Sequence, residues 1–486
     1  MTEIAKLNSA QAILGWDLHA HMPRKGAPFR SQVIAKLAGM SFELAVSDEL
    51  GEMIEKLESS DGLSDLERRC VKDVAKGYRR HKAVPPAFVQ EMSEARSSAQ
   101  AAWTQAKAAS DFASFQPYLE KNVDLARRMA DYLGFDAHPY DALLEEFETG
   151  MTCEKLTAII EPLKRDLVPF LARLMENGTR PDPSPLIGTF DIDTQRRLAR
   201  RALEIILYDF DAGDLADVTH PFTVGVGPGD VRVTNRYVEN HLGPGLFAAL
   251  HEGGHALYNQ GFGQELFELG GAGGASNGIH ESQSRMIENQ IGRSLPFWQG
   301  FQPTLAEFFP QFGDTSPETL YGAANIVAPS LIRVEADEVT YNFHIMLRFE
   351  LEAGLLDGSI AVKDLPKLWN EAMERYLGIV PPNDGEGVLQ DIHWSMGAFG
   401  YFPSYMLGNL YAAQMLKPLR AALPNLEDEL RKQDFESLLG WLREHVHQHG
   451  SAFTPTELME RITGEPLDGT HFVEYVTAKY TELYKL

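Results

Sequence analysis

Helix-start and helix-stop signals recur along this chain from end to end, and alternating strand patterns are scarce. Ser64-Asp65-Leu66-Glu67 is a capping box: the serine hydroxyl accepts from an orphan amide while the glutamate reaches back. Thr454-Pro455-Thr456-Glu457 is a second, with proline at the first helical position. Leu458 and Ile462 follow at i,i+4, and Gly464 and Pro466 then stop the helix. Ser316-Pro317-Glu318 opens another helix ahead of an apolar run. The best strand candidate runs from Val231 to Tyr237, with β-branched residues two apart. At roughly 150 residues per domain, 486 residues allow two or three domains or one large one. No internal repeat, low-complexity tract or long linker divides them, so the expectation is a mostly α, single large helical domain.

Hydrophobic residues at 44% and charged residues at 23% are the proportions of a folded globular chain. Against 44 Lys and Arg stand 69 Asp and Glu, a formal net charge of −25. A surface that acidic repels phosphate backbones and anionic lipid, which argues against nucleic acid and membrane partners. Two cysteines, Cys70 and Cys153, exclude a disulfide framework and a cysteine-based zinc or iron–sulfur site. No basic patch followed by an apolar run marks a signal peptide, and no stretch approaches 18 apolar residues. A cytoplasmic protein is expected.

Chemistry concentrates in His251-Glu252-Gly253-Gly254-His255, inside a segment Leu246 to Tyr258 that reads as a helix started by Gly243-Pro244. Spacing of i,i+4 puts both imidazoles on one face, one turn apart, where they can share a metal ion. Glu252 sits beside the first histidine and can reach a metal-bound water without being a ligand. Each glycine costs the helix about 1 kcal/mol relative to alanine. A helix that keeps both is expected to let something approach its backbone closely.

A catalytic zinc needs three protein ligands and an open position. No histidine follows at short spacing, so the third ligand must come from elsewhere. The next polar cluster is His280 to Asn289, where Glu281, Ser284, Arg285 and Glu288 fall on one helical face. Glu281 there would make a His₂Glu site. Further on, Gln390, Asp391, His393, Trp394, Tyr401 and Tyr405 lie among glycines, too polar for core and too aromatic for a solvated loop. From Leu331 to Glu352, Asp337, Tyr341, His344 and Arg348 form a polar stripe on an apolar helix, with Arg333 one turn before. Such a stripe lines a cleft or forms an internal ion-pair network. The glycine-rich stretches 225–230 and 270–278 lack the endings of nucleotide loops and read as turns or hinges beside the site.

The ordered set resembles the thermostable carboxypeptidase Taq family of zinc metallocarboxypeptidases. It comprises His220-Pro221-Phe222, Asp230-x-Arg232-x-Thr234, the His251 to His255 motif, His280-Glu281-Ser282-Gln283, and Gly387 to Trp394. Gly15-Trp16-Asp17 and Met22-Pro23 extend the likeness to nearly the whole chain. The resemblance implies a helical body with a deep central groove, similar to angiotensin-converting enzyme and neurolysin, with a small β element near 220–237. Residues 1–215 would supply a helical groove wall and 216–486 the catalytic part. It further implies homodimers, peptide substrates and removal of single C-terminal residues with broad specificity. His251, His255 and Glu281 would hold Zn²⁺, with Co²⁺ or Mn²⁺ equally suited to the ligands. Glu252 would be the catalytic carboxylate. His393 and Tyr405 would stabilise the tetrahedral intermediate, with Tyr401 competing for the second role.

An exopeptidase also needs a cation for the substrate's C-terminal carboxylate, and arginine's fork suits it. Arg232, Arg333 and Arg348 are the candidates, Arg348 ahead for its stripe and Arg232 for its motif. Two other readings keep the same residues: an oligoendopeptidase on the same framework, and an inactive peptide-binding scaffold. A purely structural zinc has no use for Glu252, which argues against the scaffold.

Overall fold

The structure, a computed structural model, describes residues 2–271 and 273–486; Met1, and Ala272 of the second glycine-rich stretch, lie outside them. Helices Thr2–Ala20 and Ala27–Ala45 form an antiparallel pair, followed by Asp48–Glu58, Asp65–Ala83, Pro86–Ala109 and Phe112–Leu133. The short helix Pro139–Phe147 precedes the long Cys153–Asn177 and then Ile192–Ile205. A small sheet interrupts the helices: β1 (Leu215–Asp217), β2 (Thr223–Gly227) and β3 (Asp230–Asn235), in the order β1-β3-β2. β1 runs parallel to β3 and β2 antiparallel to it. The His251–His255 motif lies on Gly243–Gln260, and further helices include Asn277–Arg285, Tyr341–Asp357 and Pro403–Ala422.

Both capping boxes form as the sequence specifies, at Ser64 and at Thr454. Ser316 likewise caps Pro317–Ala324. The strand read over Val231–Tyr237 is β3, which stops at Asn235. There the side-chain amide turns inward to donate to the Gly245 carbonyl at 2.9 Å, tying the sheet to the start of the motif helix. The stripe read from Leu331 onward is not one helix. Arg333–Glu335 is a 3₁₀ turn, and the α-helix starts at Tyr341. Asp337 is the reason: its carboxylate accepts the Val339 amide at 2.9 Å and the Thr340 amide at 3.0 Å. That turn closes off any earlier start.

The main apolar core runs from Ala99 to Tyr484 and joins the later helices to the sheet, while smaller clusters form around Phe88 and around Cys70. A cavity of about 2550 Å³ opens between helices Asp65–Ala83 and Pro86–Ala109 on one side and residues 270, 271 and 273–277 on the other. His280 and Met396, close in sequence to Glu281 and His393, are among its lining residues.

Candidate metal centre

Helix Gly243–Gln260 begins with proline in its first turn, where a missing amide costs nothing. It packs against helix Asn277–Arg285 through its second motif glycine. A methyl on Gly254 would stand 2.5 Å from the Gln283 carbonyl oxygen and 2.6 Å from the Ser284 Cα. The close approach expected from the paired glycines is therefore the contact that brings the two metal-site helices together.

Across it, His251 Nε2 lies 3.9 Å and His255 Nε2 3.5 Å from Glu281 Oε2. Each imidazole is oriented from behind. His251 Nδ1 is 2.9 Å from Glu288 Oε2, and His255 Nδ1 is 3.0 Å from the His280 carbonyl oxygen and 2.7 Å from His280 Nδ1. His280 Nε2 in turn meets Asn259 Oδ1 at 2.9 Å. These partners place the protons on the Nδ1 atoms of both motif histidines, leaving the Nε2 lone pairs aimed at Glu281. Arg285 Nε donates to the other Glu281 oxygen at 2.7 Å, so one oxygen remains for the cluster. The helix then continues into a π turn, Met286–Ile291, which carries Glu288. Arg293 clamps that residue at 2.9 Å.

Two imidazole nitrogens and one carboxylate oxygen therefore converge. A tetrahedral ion with bonds near 2.1 Å sets its ligand atoms about 3.4 Å apart, and the two spacings to Glu281 are close to that. The donor set fits a divalent cation. Electrostatics agree: burial opposes the charge on Glu281, but Arg285, His251 and His255 hold it well below the usual carboxylate range. Burial likewise opposes charge on His251, yet Glu281 and Glu288 raise it above its ordinary value. His280 is pushed well below 6.5, first by burial and then by His255, which keeps it a neutral brace.

Glu252, buried on the same helix, is held from the sheet. The Thr223 hydroxyl of β2 lies 2.8 Å from its Oε2 and 2.9 Å from its carbonyl oxygen. No spacing or motif flagged Thr223; only the sheet packing brings it there. Glu288 had a signal, since it shares a helical face with Glu281.

The late segment forms the adjoining wall. His393 Nε2 is 3.3 Å from the Tyr405 hydroxyl, and its ring lies tilted against Phe402 with centroids 4.3 Å apart. Burial pushes His393 down to about 4, against Asp391 and with Arg333 and Arg348, so the ring is neutral near pH 7. Tyr401 and Tyr405 lie 5.3 Å apart, and both phenols are raised by burial with the charge of Glu281 among the further causes. The three candidate arginines are placed differently. Arg232 pairs with Asp230 and stacks on Trp16 at 4.5 Å, so its contacts lie with the N-terminal helix rather than the His₂Glu cluster. Arg348 has no exposed surface. Its donors go to Asp391, Gln390 and the His344 carbonyl, all between 2.5 and 2.9 Å. Arg333 shares Asp391 at 2.9 Å, but its Nη1 meets the Tyr341 hydroxyl at 2.9 Å and its plane lies 4.8 Å from the Tyr405 ring. Of the three it is the one beside the late-segment tyrosines.

Comparison with known proteins agrees over the full length. A sequence model of the carboxypeptidase Taq (M32) metallopeptidase family matches residues 1–480. The chain is 41% identical to thermostable carboxypeptidase 1 of Thermus thermophilus, covering 99% of this chain and 97% of that one. It is 39% identical to carboxypeptidase 1 of Bacillus subtilis, covering 100% and 97%. The crystal structure of the M32 carboxypeptidase from Deinococcus radiodurans superposes with a TM-score of 0.97 at 37% identity, over 100% of this chain and 98% of that one. The chain therefore belongs to the carboxypeptidase Taq (M32) metallopeptidase family, as a metal-dependent carboxypeptidase.

Proposed function

We propose that a zinc ion held by His251, His255 and Glu281 serves the removal of single residues from peptide C-termini, with broad specificity. The observation that carries this reading is the convergence of two Nε2 lone pairs and one Glu281 oxygen, with the Glu252 carboxylate on the next residue of the same helix. When bound there, the ion supplies an acidified water near neutral pH and polarises the scissile carbonyl. Glu252 takes the water's proton and returns it to the leaving amine, its carboxylate held in place by Thr223. The neutral His393 and the Tyr405 hydroxyl donate to the oxygen on which charge develops, with Tyr401 packed behind Tyr405. Arg333 anchors the substrate carboxylate: its nitrogens also donate to Asp391 and Tyr341, but of the three arginines it alone borders Tyr341 and Tyr405, whereas Arg348 is fully buried against Asp391, Gln390 and the His344 carbonyl. In this reading Arg348 holds Asp391 and Gln390, and Arg232 braces the N-terminal helix.

Residues 1–215 then act as a groove wall around a catalytic part at 216–486, consistent with the helices that border the large cavity. A cytoplasmic homodimer completes the proposal. The family resemblance supports the dimer, and the free thiols of Cys70 and Cys153 suit a reducing compartment. Among the described residues no helix is long and apolar enough to cross a membrane.

The test is hydrolysis of one N-terminally blocked peptide, with free and with amidated C-terminus, by metal-replete and chelated enzyme. Stepwise loss of C-terminal residues from the free peptide alone, abolished by chelator, is expected. Equal cleavage of both at an internal bond would establish an oligoendopeptidase instead.

A further inference from the structure

The short helix Pro139–Phe147 contributes nothing to the His₂Glu cluster, yet it is bonded at both ends to the segments that carry the reacting groups. At its start, the Tyr140 hydroxyl donates to Glu352 Oε2 at 2.6 Å. The same carboxylate accepts the Trp394 indole N–H at 2.8 Å and the Gly400 amide at 3.1 Å. Those two donors bracket the turn that links His393 to Tyr401. At the helix's other end, the capping residue Glu148 accepts the Tyr411 hydroxyl at 2.6 Å and the Gly278 amide at 3.1 Å. Gly278 lies in the first turn of the helix bearing Glu281, and Tyr411 lies on the helix bearing Tyr405. Between the ends, Gly400 rests on the backbone of Leu143 and Leu144, and Phe147 meets the Tyr401 ring edge-on at 5.2 Å.

Both carboxylates are buried, at 1% exposure for Glu148 and 0% for Glu352. Among the described residues neither forms an ion pair; each is held by neutral donors. Burial pushes each carboxyl up to about 7, against the tyrosine hydrogen bonds that draw it down. Apolar side chains would fill such sites at lower cost, so what the two glutamates add is direction: two oxygens that fix several donors at once.

We infer that Glu148 and Glu352 are positioning residues, and that the Pro139–Phe147 helix is a strut setting the metal-ligand helix and the His393–Tyr405 segment in register. Glu148 fixes where Glu281 stands relative to the motif histidines. Glu352 fixes where His393 stands relative to the scissile carbonyl. The second statement rests on the donor role proposed for His393 above; the first does not.

The experiment compares Glu148→Gln, Glu352→Gln, Tyr140→Phe and His393→Ala in the full chain, reading Zn²⁺ affinity by chelator competition, kcat, KM and thermal unfolding. In Glu352→Gln an amide N–H₂ faces either the indole or the Gly400 donor. The expected result is a kcat lowered about 10- to 100-fold, with KM and Zn²⁺ affinity within about twofold. Tyr140→Phe keeps the carboxylate and loses one bond, so it lowers kcat in the same way by a few fold and guards against misfolding of the first variant. Glu148→Gln should weaken Zn²⁺ about 10-fold while kcat at saturating metal falls far less. If kcat, Zn²⁺ affinity and thermal stability fall together in all three, the residues are merely structural and the inference is overturned. A wild-type Glu352→Gln beside an impaired His393→Ala also overturns it. An unimpaired His393→Ala refutes the donor role of His393 instead, and the Zn²⁺ arm at Glu148 then decides for or against the strut.

Discussion

Replacing Gly254 by alanine should disable the metal site while leaving a folded protein. The new methyl would sit 2.5 Å from the Gln283 carbonyl oxygen and 2.6 Å from the Ser284 Cα, backbone atoms that no rotamer change can move. Relieving the overlap to an ordinary contact near 3.4 Å requires the two helices to part by roughly 0.9 Å. The gaps to Glu281 Oε2, now 3.5 Å and 3.9 Å, would open to about 4.4 and 4.8 Å. Two bonds of about 2.1 Å span at most about 4.2 Å even in a line, so Glu281 would no longer reach an ion held by the histidines. Zn²⁺ affinity should fall by at least about 100-fold, beyond the 10–100-fold typical of outer contacts. The fold suffers less: overpacking costs about 1–3 kcal/mol, and alanine in a helix returns about 1 kcal/mol. For a chain of this length the unfolding temperature should shift by no more than a few degrees. Chelator-competition titration with Zn²⁺, beside thermal unfolding of the metal-free protein, measures both. A folded Gly254→Ala with wild-type Zn²⁺ affinity and hydrolysis would refute the argument that this contact sets the site.

Glu252→Gln keeps the shape and loses the base, so kcat should drop by about 10²–10⁴ with Zn²⁺ still bound; retained turnover would place the base elsewhere. His393→Ala should cost about 10²–10³ in kcat. Because burial holds His393 at about 4, that ratio should be flat from pH 5 to 8, whereas a ratio changing through pH 6.5 would mean a charged donor. Arg333→Met should raise KM for peptides with a free C-terminus, while Arg348→Met should mainly destabilise the fold by about 3–5 kcal/mol, since it strips a buried partner from Asp391. Equal KM effects in the two would undo the assignment of Arg333 as the anchor. His447, fully buried on Gln283, is held at about 3 by burial against an ordinary 6.5. The unfolded chain therefore binds a proton below 6.5 that the native state refuses until about 3, and stability present above 6.5 is lost as pH falls through that window. The loss totals about 5 kcal/mol at most, and urea unfolding at pH 7 and pH 4.5 should show His447→Gln markedly less acid-sensitive than the wild type.

What could be read along the chain is what neighbours in sequence decide. Capping boxes, the i,i+4 histidines and the glycines between them act within one or two helical turns, and at these places local chemistry meets no competitor. Glu281 was legible because it lies in the next polar cluster after the two histidines, on one helical face with Arg285 and Glu288. The helix boundary near Arg333 was not, since Asp337 closes its own turn through backbone amides and overrides an apolar periodicity that continues past it.

The order of the arginines shows the limit most plainly. Arg232 and Arg348 sit in more suggestive patterns than Arg333, but a guanidinium's availability depends on which acceptors surround it. Those acceptors, Asp391, Gln390 and the His344 carbonyl, come from other turns and other helices. Thr223 behind Glu252, and Glu148 and Glu352 at the ends of the strut, likewise carry no local pattern. Spacing along one helix selects the metal-binding pair, because the rise and twist of the helix set that geometry before any tertiary contact forms. Which polar groups brace it, and which arginine comes to border the late-segment tyrosines, follows from long-range packing.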